Sequence, residues 1–253
     1  MKHNVIEQED KQQEYDVSDD IIKWYQEIYE GEDGLGSYFE LEKPCDGERK
    51  YFKMKENSMF NDYAKQMEIS GDIIFNFSEK GLKGQSRYEI LKKYIEDISD
   101  ADLKKIYINK LDYCRDHHHS KENCSLMPKQ GNLQDSKQGI GNDRGDTFIW
   151  ALDNYYENGV EILFNLATYE NKRILINYLE TIRTTGKHQS VYNYCKLFYN
   201  IDDTRFINEL IEFGCKTIDT EFRARRYIDL TLKFWELRRT YYECISNKER
   251  CLL

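Results

Sequence analysis

From Ser86 onward the apolar residues return every three or four positions, and a chain patterned that way must bury helical stripes against one another. The longest stripe comes last. Tyr227, Leu230, Phe234, Leu237, Tyr241 and Ile245 keep one helical register behind Thr220, which is placed to cap the helix. Ser86-Arg-Tyr-Glu89 is a capping box ahead of Ile90, Leu91, Tyr94, Ile95 and Ile98. Ser99-Asp-Ala-Asp102 opens a second helix carrying Leu103, Ile106, Tyr107 and Leu111. Phe148, Ile149, Leu152, Tyr155 and Tyr156 predict a helix over 146–158 that ends at Asn158-Gly159. Others are expected over 171–183, 189–199 and 203–213.

The N-terminal third reads differently. Residues 1–16 are charged and aperiodic, as in a mobile tail. Ile21, Ile22, Trp24, Tyr25, Ile28 and Tyr29 come after Ser18 at helical spacing, and Gly31 is placed to stop that helix. Ser37–Glu42 and Arg49–Lys55 alternate apolar and polar residues around Asp46-Gly47, the signature of a hairpin. Asp72–Phe77 is a third expected strand. The polar stretch from about His117 to Asn142 reads as one long loop. No repeat and no strong linker after Gly36 divide the chain. The expected fold class is therefore α+β and predominantly α-helical, as a single domain over 17–253. A small N-terminal antiparallel sheet, about 37–77, would pack on a helical body, about 86–247, with a long C-terminal helix.

Composition narrows the classes. A chain of 253 residues with 40% hydrophobic and 14% aromatic side chains is not a disordered one. It contains no apolar run of the length a membrane span needs. A net charge of -9 repels phosphate backbones, so double-stranded nucleic acid is not an expected partner. The charge is uneven: residues 1–48 hold 4 basic and 15 acidic side chains, whereas 221–253 hold 8 basic and 5 acidic. The acidic end would meet the basic end or a basic protein partner, or would simply be solvated. Seven Cys without a CxxC, and a start that lacks an apolar signal segment, point to the cytoplasm. Two Pro, 20 Tyr and many Lys, Asn and Ile point to an AT-rich coding genome, bacterial or phage.

Four stretches hold candidate chemistry. Lys137-Gln-Gly-Ile-Gly-Asn-Asp-Arg-Gly-Asp146 leads into the Trp150 helix, where backbone N–H groups and Lys129, Lys137 and Arg144 would meet an anion. The structural alternative is that Asp143 or Asp146 caps the helix while Arg144 pairs with a carboxylate. Between Cys114 and Cys124, the ligand types Cys114, His117, His119 and Cys124 are a candidate zinc set without a well-spaced second pair, and a solvated loop is the simpler reading. Arg183-Thr-Thr-Gly-Lys-His188 resembles the Arg/His pattern of helical HEPN-type ribonucleases, which implies His188 as base and Arg183 as phosphate stabiliser. The last helix mixes Arg223, Arg225, Arg226, Arg238 and Arg239 with Phe234, Trp235, Tyr241 and Tyr242, a composition that stacks and charges a single strand or packs a core. No cofactor signature is present.

Asn142-Asp-Arg-Gly-Asp-Thr147 followed by Asn154-Tyr-Tyr156 resembles the Asp-Arg-x-Asp core of an uncharacterised bacterial family. Leu126-Met-Pro128 is similar to a Pro-containing strand and Gly131-Asn132 to an Asn/Gly-rich loop ahead of that core, Tyr194-Cys-Lys-Leu-Phe198 to an aromatic-rich helix pair after it, and Phe234-Trp-Glu-Leu-Arg238 to its long last helix. The resemblance implies a shared fold and weight on Asp143, Arg144 and Asp146, and it brings no activity. Three classes stay open: a non-enzymatic protein-binding module, in the setting of bacteria–phage conflict; a nucleotide- or phosphate-ligand enzyme using the 129–146 loop; and a HEPN-like ribonuclease using Arg183 and His188. Oligomeric state is open.

Overall fold

The computed structural model describes residues 39–42, 51–54, 69–79, 86–128, 144–164, 169–184 and 190–250. It is predominantly helical. The tail at 1–16, the helix expected behind Ser18, the hairpin turn and the loop at 129–143 lie outside those residues.

Strands β1 (Phe39–Glu42), β2 (Tyr51–Met54), β3 (Ile69–Ile73) and β4 (Cys124–Pro128) form an antiparallel sheet in that order. Two expectations are corrected here. The sheet is not built from N-terminal residues alone, because β4 comes from the stretch read as a loop from His117. The third strand also starts earlier than Asp72 and pairs only as far as Ile73, opposite Cys124. Beyond Ile73 the chain is held by Asn123. This residue is fully buried; its backbone carbonyl accepts from Ile74 N at 2.8 Å, and its side-chain oxygen accepts from Phe75 N at 3.0 Å. Its Nδ2 donates to the Phe75 and His118 carbonyls at 2.7 and 2.6 Å. One amide thereby continues the ladder and ties it to a helix end, a pairing that periodicity does not register.

Helices α1 (Arg87–Glu96) and α2 (Ala101–His117) start as their caps dictate: Ser86 accepts from Glu89 N at 3.2 Å and Asp100 from Leu103 N at 2.9 Å. Helix α3 (Gly145–Asn158) ends on Gly159 in the left-handed region, φ 68°. Helix α4 spans Tyr169–Thr184. The helix expected over 189–199 is instead α5 (Val191–Tyr194) running into a π turn, Cys195–Tyr199, closed by Asn200 at φ 56°. The extra residue per turn lets both Phe198 and Tyr199 face inward. Helix α6 (Thr204–Gly214) is capped by Asp203.

Helix α7 (Glu221–Arg250) is the shaft of the core. Phe75 and Phe77, fully buried, pack on it edge-on or tilted: Phe75 lies 5.9 Å from Tyr227 and 5.1 Å from Phe234, and Phe77 lies 6.2 Å from Trp235. The stripe departs from expectation at its end, where Tyr241 is exposed and Tyr242 is buried. The cause is Arg238, fully buried, which donates Nε to the Tyr242 hydroxyl at 2.9 Å and Nη1 to the Glu122 carbonyl at 2.8 Å.

Helices α3 and α6 cross most closely at Gly214. A Cβ there would sit 2.2 Å from the Asp146 carbonyl oxygen and 2.6 Å from Trp150 Cβ. Neither neighbour is a flexible chain end. Gly214→Ala is expected to cost about 2 kcal/mol by overpacking, against about 1 kcal/mol for Gly159→Ala, where only the positive φ resists a side chain. Urea denaturation of both variants checks the order, and a Gly214→Ala protein as stable as wild type would refute the close crossing.

Candidate functional site

The entrance to α3 is built around Arg144. Its backbone forms an antiparallel bridge with Phe75, and Gly145 comes next because a Cβ would lie 2.5 Å from Ile74 Cγ2. Arg144 occupies the N-cap position without a side-chain cap bond. Asp146, fully buried in the first helical turn, does not cap the helix either, which corrects that expectation. Its carboxylate accepts Arg144 Nε at 3.2 Å and also Arg144 Nη2, in a two-point ion pair. The positive end of the helix dipole favours a carboxylate there. Arg144 Nη1 donates to the Lys216 carbonyl at 2.7 Å, and the guanidinium lies over the rings of Phe213 at 5.6 Å and Tyr227 at 5.5 Å. Burial alone would lower the Arg144 pKa; the charge and hydrogen bonds of Asp146 outweigh it and hold it above the ordinary value. Both residues are thus engaged with each other and with the turn at Lys216 inside the fold. Lys129, Lys137 and Asp143 lie outside the described residues.

On the outer side of this node an open cleft of about 720 Å³ runs between α3, α6 and the first turns of α7. Arg144 does not line it, but the Phe213 ring and the Lys216 carbonyl that Arg144 holds belong to residues of its wall. Trp150, Asp153 and Asn154 recur at i, i+3 and i+4 on α3 and form one side. Glu209 and Glu212 of α6 line it too, and Phe222, 65% exposed, stands at the start of α7. Arg226 pairs with Glu209 at 2.7 Å, and Arg223 pairs with Asp219 at 2.7 Å. Burial and then the like charge of Glu157 raise the Asp153 pKa. Sequence inspection passed over Trp150, Asp153, Glu212 and Phe222. The available signal was that Trp150 and Phe222 fall off the apolar stripes of their own helices.

The other candidates do not converge. Cys114 and Cys124 are fully buried, and burial pushes the Cys114 thiol up. His117 is exposed, stacked on Tyr113 at 3.9 Å between ring centres, with Nδ1 2.9 Å from the Tyr113 carbonyl oxygen. His119 is exposed. No group of three or more His, Cys, Asp or Glu is placed to hold a metal among the described residues. Arg183, in the last turn of α4, sits 3.5 Å from Glu180 and over the Tyr156 ring at 6.0 Å. His188 lies outside the described residues. The aromatics of α7 are mostly in the core, and Arg223, Arg225, Arg226 and Arg239 are paired with acids, Arg239 with Glu122.

Compared with protein-family models, curated proteins and solved structures, the chain finds no match in any of the three. No described helix is long and apolar enough to cross a membrane.

This geometry has two measurable consequences. Arg144→Met leaves Asp146 buried without its counter-charge and is expected to cost about 3–5 kcal/mol, whereas the double variant with Asp146→Leu recovers most of the loss. Chemical denaturation of the cycle decides, and equal losses in single and double variants would count against the pair. His118 supplies a pH effect. Burial, with a smaller push from His119, lowers its pKa to about 4 from 6.5. Between those values the unfolded chain binds more protons than the folded one. The His118 contribution is therefore present above pH 6.5 and is lost by up to about 1.4 kcal/mol per pH unit as pH drops toward 4, with His119, also lowered by burial, acting in the same direction. Urea midpoints between pH 7 and 4.5 should show that slope, flattened in His118→Gln.

Proposed function

We propose that the protein is a non-enzymatic binding module that receives a protein partner in the cleft between α3, α6 and the start of α7. One observation carries this: Phe222 is 65% exposed in a cleft that also holds the partly buried Trp150. Large aromatic side chains left in an open depression, rimmed by charged residues, are the composition of protein-docking surfaces. Among the described residues the lining lacks a paired nucleophile and base and contains no histidine; Cys215 there has Sγ 3.6 Å from the Glu212 carbonyl oxygen. The thiols of Cys114 and Cys195 are buried and pushed up, away from reactivity. A cytosolic setting agrees with the free thiols at Cys114, Cys124, Cys195, Cys215 and Cys244. Conflict between bacteria and phage is the setting we attach to this reading, on composition alone.

Amine-reactive crosslinking in lysate of the source cell tests it. A partner should crosslink at Lys216, and Phe222→Ser should lose that crosslink while keeping its thermal midpoint. Crosslinks unaffected by Phe222→Ser would overturn the proposal, as would a nucleotide-induced thermal shift that persists in that variant.

A further inference from the structure

We infer that the partner reaches the cleft with a basic segment, an Arg or Lys side chain lying against Trp150 with its charge between Asp153 and Glu212. The inference rests on the cleft being a docking site and adds the chemistry of the occupant. Arg226 is taken up by Glu209, which also has Lys233 at 3.6 Å. Arg223 is taken up by Asp219 and by the Thr217 carbonyl at 3.1 Å. Arg225, beside them on α7, is taken up by Glu221 at 2.8 Å. The cations of this end of α7 are therefore engaged within the molecule. Asp153 on α3 and Glu212 on α6 are not: neither has a cation at ion-pair distance among the described residues. Glu157, one turn beyond Asp153, adds a third carboxylate without one among those residues. Lys216 is the single lining cation left without an acidic partner among the described residues, so this part of the surface stays anionic.

Three physical terms then point the same way. An indole face attracts a guanidinium or ammonium group. The stem of Arg or Lys is apolar and covers exposed aromatic surface such as Phe222 while its head reaches a carboxylate. Asp153 is partly desolvated beside a like charge, and a docked cation removes that penalty. An acidic segment would meet only Lys216 as an unengaged partner and would be repelled by three carboxylates. A second copy of the chain would bring a net charge of -9 against the same sign.

The test uses the full chain and two fluorescein-labelled helical peptides with the same Leu and Trp anchors, one carrying Arg at its polar positions and one carrying Glu, in fluorescence anisotropy at about 150 mM salt. The Arg peptide should bind about tenfold or more tightly than the Glu peptide, and the Asp153→Asn/Glu212→Gln variant should lose about tenfold for the Arg peptide at an unchanged thermal midpoint. Equal binding of the Arg peptide by variant and wild type would mean attraction by the general negative field and would overturn the inference. So would preference for the Glu peptide, or a dimer in sedimentation equilibrium that Phe222→Ser dissociates. If peptide discrimination fails while the Phe222-dependent crosslink at Lys216 survives, the basic chemistry alone is wrong. If both fail, the docking site falls with it.

Discussion

A charged pair sealed inside the molecule sets the direction of everything around it. Asp146 has no contact with solvent, and Arg144 supplies both its counter-charge and its hydrogen bonds. Taking two such charges out of water is expensive, so the pair is a poor source of stability and a strong source of geometry. The guanidinium also reaches the Lys216 carbonyl and two aromatic faces. The segment beyond β3 at Phe75, the start of α3, the end of α6 and the flank of α7 therefore meet at one residue.

A second buried arginine performs the same kind of service at the other side of the core. Arg238 joins α7 to the Glu122 carbonyl, next to Asn123, whose amide already joins the strand end to α2. Between the two arginines lie Tyr227, Phe234 and Trp235, packed on Phe75 and Phe77. Cationic groups over rings and rings over rings recur through this core because the chain is rich in tyrosine and its aromatics have to be buried together. The outcome is a set of rigid elements on which an external cleft can keep its shape.

The cleft lies where those elements end. Phe213 and Lys216, which Arg144 touches, line it, and so does Trp150, whose Cβ lies against Gly214. The residues of the proposed docking site are not the ones that make the fold: Arg144 and Asp146 are buried at the entrance of α3, while Trp150, Phe222, Asp153 and Glu212 line the cleft. Arg144 and Asp146 thus draw the eye in the sequence and yet are buried in the fold.

The predominantly helical character, the cap at Ser86 and the glycine stop at Gly159 are legible in the sequence, because they depend on periodicity and on bonds between residues a few positions apart. The pairing of β3 with β4 was not, since nothing local in Cys124–Pro128 names a partner so distant along the chain. The π turn at Cys195–Tyr199 was invisible for a related reason: its spacing serves packing around Phe198, not an ideal helical period. Arg144 could be singled out by its neighbours, but whether it would meet a ligand or a carboxylate depends on which surfaces close over it. Local chemistry writes the elements into the sequence; burial, which is a property of the assembled chain, decides which charges turn inward and which stay at the surface.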